Sequence, residues 1–251
     1  MEKINVRGIE FDNLTPEEAA EYLTALAKDE KPSSVFTPNA EIVQACVEDE
    51  NFKKTVASAD VILPDGVGVI KAARILGTPL KSKVPGVEIG EKLVGLSGPE
   101  FLPVYFLGGK PGVAEAAAEK LKEKYPDAKI AGAHHGYFKK EGEESDGVID
   151  AINSTDARIL FVCLGSPAQE IWITQNKEKF TNVKLLLGLG GSLDVYSGNV
   201  KRAPSFFRKL GLEWFYRLLS QPKRIGRMMK LPKFYFGTLR YKRKLKKNSP
   251  R

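Results

Sequence analysis

Short apolar runs recur along the first 190 residues, and a helical pattern lies between each run and the next. The runs are Ser34–Thr37, Val61–Pro64, Val104–Leu107, Ile130–Ala133, Ile159–Leu164 and Leu185–Leu189. Helical stretches lie near 39–57, 66–77, 87–97, 111–125, 143–153 and 167–180. Continuous apolar runs are typical of parallel strands that are buried on both faces. The sequence therefore predicts an α/β fold, a Rossmann-like and mainly parallel sheet with helices on both faces.

The residues before these runs carry their own local signals. Positions 4–12 alternate apolar and polar side chains around Arg7-Gly8, which predicts a small hairpin. Thr15 to Glu18 then supplies an N-cap, a proline at the first helical position and a capping glutamate. The first eight residues contain no apolar signal-peptide region, and no apolar run approaches the length of a spanning helix. Cys46 and Cys163 lie in apolar stretches and are expected to be reduced, buried thiols of a cytosolic protein.

Charge divides the chain into two unequal parts. Residues 201–251 hold 17 of the 39 Lys and Arg residues but a single acid, Glu213, whereas the first 200 residues carry 22 basic and 30 acidic side chains. Aromatic residues and leucines are interleaved with the basic residues of this tail at helical spacing. The pattern predicts an α/β domain over 1–200 and a basic, amphipathic helical appendage over 201–251 that lies on an anionic membrane surface. The tail alone would also suit a nucleic-acid-binding protein, but the acidic body argues against that class.

Ligands of open α/β sheets bind beyond the carboxyl ends of the strands, so polar residues at those ends are the candidates for a site. Asp65 directly follows an apolar run and precedes Gly66, where it can serve as a general base or as the N-cap of the next helix. The stretch Gly188–Asp194 is a candidate nucleotide loop, because Gly190 and Gly191 let the backbone approach a ligand and Asp194 can accept a hydrogen bond from it. The stretch Gly108–Gly112 suits either a phosphate cradle or a tight turn.

Nothing in the sequence indicates a catalytic metal or a cofactor. His134 and His135 are the two histidines, and neighbouring strand residues are expected to point to opposite faces. The chain also contains no Asp-x-Asp pair. If a diphosphate leaves from this site without a metal, its charge must be stabilised by Arg, Lys or backbone N–H groups.

Six motifs in order along nearly the whole chain resemble those of the TagA/WecG/CpsF glycosyltransferases. They are Phe36-Thr37-Pro38-Asn39-Ala40-Glu41, Pro64-Asp65-Gly66-Val67-Gly68, Val84-Pro85-Gly86, His135-Gly136-Tyr137-Phe138, the stretch from Leu164 to Trp172 with Gly165-Ser166-Pro167 and Gln169-Glu170, and Arg202-Ala203-Pro204 with Gly211-Leu212-Glu213-Trp214 and Arg217. The resemblance implies an inverting enzyme that moves N-acetylmannosamine from a UDP donor to N-acetylglucosamine on undecaprenyl diphosphate, in teichoic acid linkage-unit synthesis. It also implies a cytoplasmic protein that is peripheral on the inner face of the cell membrane.

The same resemblance assigns roles to individual residues. Asp65 is expected to be the general base, with Thr37 beside it as a second catalytic residue. The substrate-binding set implied by the resemblance or by the glycine loop is Asn39, Lys83, Tyr137, Gln169, Gly190, Gly191, Asp194, Arg217, Arg224 and Arg227. The three arginines resemble tail residues that close over the pocket and stabilise the diphosphate in place of a metal. Lys83 stands where arginine is expected, and Glu88 where aspartate is commoner, so a bidentate phosphate contact at Lys83 is in doubt.

Several alternatives remain open from the sequence. A relative of the same family can use another donor, a nucleotide of N-acetylmannosaminuronate or of glucose, and a carboxylated donor should require an extra basic residue in the pocket. A plain nucleotide-binding module would leave Asp65, Thr37 and Gln169 without a common task. Apolar residues near the junction of body and tail can meet lipid or pair two subunits in a homo-oligomer.

Overall fold

The architecture is taken from a computed structural model, which describes residues 1–204, 206–207, 214–216, 226 and 229–248. The strands are β1 Lys3–Val6, β2 Ile9–Asp12, β3 Ser33–Phe36, β4 Val61–Ile62, β5 Val104–Gly108, β6 Ile130–His134, β7 Ile159–Cys163 and β8 Leu185–Gly188. The strands β1 and β2 form an antiparallel pair, and the other six form one parallel sheet in the order β4-β3-β8-β7-β5-β6. Each of the six predicted apolar runs contributes one strand to this sheet, so the predicted fold class is confirmed.

Ten α-helices that lie entirely within the described residues accompany these strands. They are α1 Pro16–Lys28, α2 Ala40–Glu48, α3 Glu50–Ala57, α4 Gly66–Leu76, α5 Gly86–Ser97, α6 Val113–Lys124, α7 Glu143–Asn153, α8 Ala168–Asn176, α9 Ser192–Tyr196 and α10 Lys230–Asn248. The helical stretch predicted near 39–57 consists of two helices, because Asp49 interrupts it. The Oδ1 atom of Asp49 accepts hydrogen bonds from the backbone N–H groups of Asn51 and Phe52, which starts α3 as a separate helix.

Both local signals at the beginning of the chain are confirmed. Arg7 and Gly8 adopt φ angles of 58° and 90° in the turn between β1 and β2. At the start of α1 the Thr15 hydroxyl accepts the N–H of Glu18, and the Glu18 carboxylate accepts the N–H of Thr15. This reciprocal capping satisfies two backbone donors that the first turn of a helix otherwise leaves unpaired.

Two hydrophobic clusters cover the two faces of the sheet. One contains Phe36, Ile62 and Trp172, together with residues of α2, α3, α4, α7 and α8. The other contains Phe106 and Phe161, whose rings stack 5.5 Å apart, together with residues of α1, α5, α6 and α9. Strands β5, β7 and β8 are buried at every position, as expected where helices cover both sides of a parallel sheet. None of the helices described combines the length and the apolar character needed to cross a bilayer.

The end of the basic tail packs against the body of the protein. Helix α10 contacts α2 and α4, with Phe234 3% exposed and Thr238 fully buried. Arg7 of the hairpin donates from Nη1 to the carbonyl of Phe234 at 3.2 Å, and its guanidinium lies 5.9 Å from the ring centres of Phe234 and Tyr241. A Cβ atom at Gly237 would overlap this guanidinium in its present position, so the helix passes close to the arginine at a residue without a side chain.

An ionic contact adds to the apolar docking of α10. The Glu48 carboxylate at the end of α2 lies 2.5 Å from Lys233 Nζ and 3.5 Å from Lys230 Nζ, and it also accepts a hydrogen bond from Gln44. The hydrogen bond from Lys233 is the largest cause that lowers the pKa of Glu48 to about 2, followed by the one from Gln44. Glu48 is therefore ionised throughout the neutral range and holds the start of α10 against α2.

The predicted boundary between body and appendage at residue 200 stays a prediction, because most of 205–228 lies outside the described residues. Pro222 also predicts a break after a helix that ends near Leu219, and both positions lie outside the described residues. The structure adds that 230–248 shares the hydrophobic cluster of the body through Phe234.

We expect Phe234→Ala to release α10 from the body. Removing a buried phenylalanine costs about 3–5 kcal/mol, and here the cost falls on one terminal helix that can open locally while the sheet stays folded. Hydrogen exchange across 230–248 and tryptic cleavage within the lysine-rich helix should both become faster. The control is Phe236→Ala, two residues away on the same helix but 61% exposed, which should change neither rate. Equal protection in both variants would contradict the docking.

Candidate active site

A cleft of about 880 Å³ opens at the carboxyl ends of β3, β4, β7 and β8. Seven predicted site residues line it together, namely Thr37, Asn39, Asp65, Gln169, Gly190, Gly191 and Asp194. They come from separate motifs, and the parallel sheet brings them to one edge because its strands all point the same way. From this edge the cleft continues along α2 and α3, past Ile42, Ala45, Glu48 and Phe52, to Lys230.

Backbone hydrogen bonds fix the loops around Asp65. Its N–H donates to the carbonyl of Pro38 at 3.4 Å, and the N–H of Val84 donates to the carbonyl of Pro64 at 2.8 Å. Three motifs that are distant in sequence therefore meet at the end of β4. Asp65 occupies the N-cap position of α4, but its half-buried side chain accepts no capping hydrogen bond from that helix, all of which the structure describes. The capping alternative for this carboxylate thus lacks the contact that defines it.

Thr37 is buried directly beyond β3, between Gly188 at the end of β8 and Gly86 at the start of α5. Its hydroxyl donates to the carbonyl of Gly188 at 3.4 Å. A Cβ atom on Gly86 would lie 2.8 Å from this hydroxyl, so the glycine of the Val84-Pro85-Gly86 motif leaves the room that Thr37 occupies. The motif thereby allows the Thr37 side chain to occupy its position in the lining of the cleft.

Asn39 begins α2 as its N-cap. Its Oδ1 atom accepts from the backbone N–H groups of Glu41 and Ile42, at 2.9 and 3.1 Å. Because capping uses the oxygen, the group that Asn39 can offer to a ligand is its Nδ2 amide, which is a donor.

Gln169 is buried in the first turn of α8 and holds the glycine loop in place. Its Oε1 atom accepts the N–H of Gly190 at 2.8 Å, and its Nε2 atom donates to Glu170 at 3.0 Å. Both ends of the amide are used within the protein, so the geometry favours a positioning role over the direct sugar contact implied by the family resemblance. Gly190 has a φ angle of 55°, the left-handed region that glycine adopts without strain.

Asp194 stands in the short helix α9, immediately after the glycine loop. Its Oδ2 atom lies 3.8 Å from the position that a Cβ atom would take on Gly191, so the carboxylate overlies the loop at the cleft wall. The carbonyl of Asp194 also accepts the N–H of Val200 at 2.9 Å, which ties the beginning of the basic tail to this side of the cleft.

Some predicted residues are not brought to the cleft. Lys83 precedes Val84, which is bonded to Pro64, yet Lys83 is not among the lining residues. Tyr137 is 64% exposed on the loop after β6 and does not line the cleft either. Arg217, Arg224 and Arg227 lie outside the described residues, so their predicted roles stay predictions.

The charge that lines the cleft is mostly negative. The carboxylates are Glu41, Glu48, Asp49, Asp65 and Asp194, and Lys230 is the one basic side chain among the described residues of the wall. Sequence reasoning missed Lys230, because a lysine within a lysine-rich tail carries no local signal for a cleft. Its position follows from the docking of α10.

One sequence argument needs correction on geometry. The side chains of His134 and His135 do not point to opposite faces. The strand β6 ends at His134, and the two rings lie 4.4 Å apart between centroids. In the described part of the chain, no three His, Cys, Asp or Glu side chains are placed to hold a metal ion together.

Gly108 lies so close to the backbone of Cys163 that a Cβ atom would overlap it, so this glycine serves the packing of β5 on β7.

The sequence of the chain matches one known protein family and several known enzymes. Residues 4–248 match the sequence model of the Glycosyl transferase WecG/TagA/CpsF family. The chain is 36% identical over 247 residues to the N-acetylglucosaminyldiphosphoundecaprenol N-acetyl-beta-D-mannosaminyltransferase of Staphylococcus aureus strain MRSA252, with 98% of this chain and 95% of the relative covered. It is 35% identical, with the same coverage, to the enzymes of that name from strains MW2 and NCTC 8325.

We expect Gln169→Leu to loosen the glycine loop. Leucine has a similar size but leaves the N–H of Gly190 and the carboxylate of Glu170 without the amide, at a cost of about 1–3 kcal/mol per unsatisfied buried group. The melting temperature should fall, and the KM of the donor should rise more than kcat falls. Gln175→Leu is the control, since Gln175 is exposed on the same helix and should leave both quantities unchanged. A Gln169 variant with normal stability and a lowered kcat would instead support direct contact with the reacting sugar.

Proposed function

Because the chain belongs to the WecG/TagA/CpsF glycosyltransferase family, we propose that it transfers N-acetylmannosamine from a UDP donor to N-acetylglucosamine carried on undecaprenyl diphosphate. The observation that carries the proposal is the position of Asp65 in the cleft, beside Thr37 and Asn39 and across from the glycine loop of β8. The name printed for the Staphylococcus aureus relatives supports the acceptor and the transferred sugar.

The geometry supports an inverting displacement. Asp65 takes the proton of the acceptor hydroxyl, the hydroxyl oxygen bonds to C1 of the N-acetylmannosamine, and the bond from C1 to the UDP oxygen breaks. UDP leaves with the electron pair of that bond. One carboxylate suffices for this reaction, since the acceptor itself is the nucleophile and no covalent sugar–enzyme intermediate is needed.

The leaving diphosphate is stabilised by positive charge, but the described wall of the cleft carries five carboxylates and one lysine. The basic stretch between Pro204 and Met229 is connected at both ends to the cleft, through Val200 bonded to Asp194 and through Lys230 in the wall. Arg217, Arg224 and Arg227 belong to this stretch. We assign to them the stabilisation of the diphosphate, which guanidinium groups bind through paired hydrogen bonds.

The tail also suits attachment to an anionic membrane surface, where a polyprenyl acceptor presents its sugar. While α10 buries Phe234 and Thr238 against the body, it exposes Tyr235, Phe236 and Leu245 together with Arg240, Arg243, Lys244 and Lys247. Such aromatic and basic side chains insert at the lipid interface and pair with anionic headgroups, with about 1 kcal/mol for each basic residue near the surface. The protein would then be peripheral on the inner leaflet.

The cleft argues against a uronate donor. A carboxylated sugar would add a further negative charge to a wall that already carries five carboxylates and, among the described residues, one lysine. The neutral N-acetylmannosamine avoids this repulsion.

The proposal is tested with the full-length protein, a panel of UDP-sugars and a lipid-linked N-acetylglucosamine diphosphate. We expect UDP release with UDP-N-acetylmannosamine and at most background release with the glucose and uronate nucleotides. The assay should give the same rate with EDTA, in line with the predicted absence of a metal and a cofactor. Turnover with another donor in the panel, or a strict requirement for Mg²⁺ or Mn²⁺, would contradict the proposal at that point.

Replacing Asp65 by Asn should lower kcat by roughly 10²–10⁴, the usual contribution of a general base, while donor binding is retained. Asp65→Ser is the matched variant, because serine is a good N-cap but cannot take the proton. Both variants should be inactive and should melt near the wild-type temperature. If both variants kept near-wild-type turnover, the carboxylate would not be the base, and its role would be that of a cap, which Asn and Ser can also fill.

A further inference from the structure

We propose that Lys230 binds the diphosphate of the lipid-linked acceptor at the far end of the cleft. The inference rests on the proposed function and concerns a residue to which neither the family motifs nor the sequence assigned a role. Three features of the structure carry it.

The first feature is the shape of the cleft. Its lining residues beyond the strand ends fall into two groups, which we call its two arms, and one group comprises Gly190, Gly191 and Asp194 beyond β8. The other follows α2, whose lining residues Glu41, Ile42, Ala45, Glu48 and Asp49 recur at the spacing of one helix face. With the nucleotide in the first arm, the second arm is the space left for the acceptor.

The second feature is the distance along this arm. Asn39 lies at the start of α2, close to Asp65, and Glu48 lies at its end, so the arm is about 14 Å long at 1.5 Å per residue. A hexosamine whose hydroxyl meets Asp65 carries its diphosphate on the opposite side of the sugar ring. The diphosphate therefore points down the arm, toward the end where Lys230 lies.

The third feature is the charge at that end. Glu48 contacts both Lys230 and Lys233, and its lowered pKa keeps it as a single negative charge between two positive ones. The three side chains together carry one net positive charge. Lys233 is the nearer partner of Glu48, at 2.5 Å against 3.5 Å, which leaves Lys230 the better placed of the two to meet an anion in the cleft.

The lining of the arm also suits the lipid attached to the diphosphate. Ile42, Ala45, Phe52 and Ile171 give its wall an apolar component beside the charged groups. The first isoprene units of a polyprenyl chain can lie against such side chains before the chain leaves the protein.

The docking contacts of α10 give Lys230 its position. Phe234 lies one turn further along the helix and is held between the body and Arg7. Since these contacts fix the first turn of α10, the lysine is presented to the cleft at small cost in conformational entropy.

The test compares Lys230→Ala with Lys233→Ala in the full-length protein. The two lysines share one helix and one acidic partner, but Lys233 does not line the cleft. With a short-chain N-acetylglucosamine diphosphate lipid as acceptor, Lys230→Ala should raise the acceptor KM about tenfold and leave the donor KM and kcat within about twofold, the size expected for loss of one charge-assisted hydrogen bond. Lys233→Ala should raise the acceptor KM less than Lys230→Ala does, because Lys233 acts only by occupying Glu48, and Lys230→Arg should retain a near-normal acceptor KM.

A second acceptor isolates the diphosphate. With an N-acetylglucosamine whose diphosphate is replaced by an uncharged linker of the same length, wild type and Lys230→Ala should have equal KM values. If Lys230→Ala raised the donor KM instead, the lysine would bind the nucleotide, and if it left the acceptor KM unchanged, the contact would not exist. An inactive wild-type protein would count against the proposed function itself, which separates the two failures.

Discussion

Parallel pairing of β3 with β4 and β8 is the constraint from which the site follows. In a parallel sheet all the carboxyl ends lie at one edge, and the backbone there has no further strand partner. Hydrogen bonds within the loops satisfy some of these backbone groups. The N–H of Asp65 donates to the carbonyl of Pro38, and the hydroxyl of Thr37 donates to the carbonyl of Gly188. The bonds that end the sheet are thus the same bonds that place the candidate base and its neighbours around the cleft.

This constraint explains why so much could be predicted from the sequence. Strands buried on both faces are continuous apolar runs, and a run that stops at a polar residue marks both a strand and a candidate site residue at once. Asp65, Thr37 and the glycine loop of β8 were found in this way, and the structure brings them together. Their chemical roles cannot be read from the pattern, because a carboxylate at the start of a helix is as often a cap as a base. The missing cap hydrogen bond at Asp65 is visible only in three dimensions.

The features that could not be predicted depend on side-chain contacts between distant segments. Asp49 is one polar residue in a helical pattern, and only the orientation of its carboxylate divides α2 from α3. Gln169 belongs to a family motif and lines the cleft, and its two hydrogen bonds show that it also holds the glycine loop in place. Phe234 and Phe236 are indistinguishable in the sequence. Which one is buried is decided by the packing of α10 against α2 and α4, which lie far earlier in the chain.

The charge asymmetry of the sequence acquires a structural meaning from the same docking. An acidic cleft alone would repel a diphosphate, and a basic tail alone would bind any anionic surface. Joined through Glu48, Lys230 and Lys233, the two become complementary, since the tail contributes positive charge to the acidic wall of the cleft. Negative side chains in the remaining wall then favour a neutral sugar over a charged one, and they oppose an anion that enters without the tail in place. In the roles proposed here, the basic residues of the tail bind both the membrane surface and the substrate in the cleft. The first turn of α10, which carries Lys230, connects these two sites.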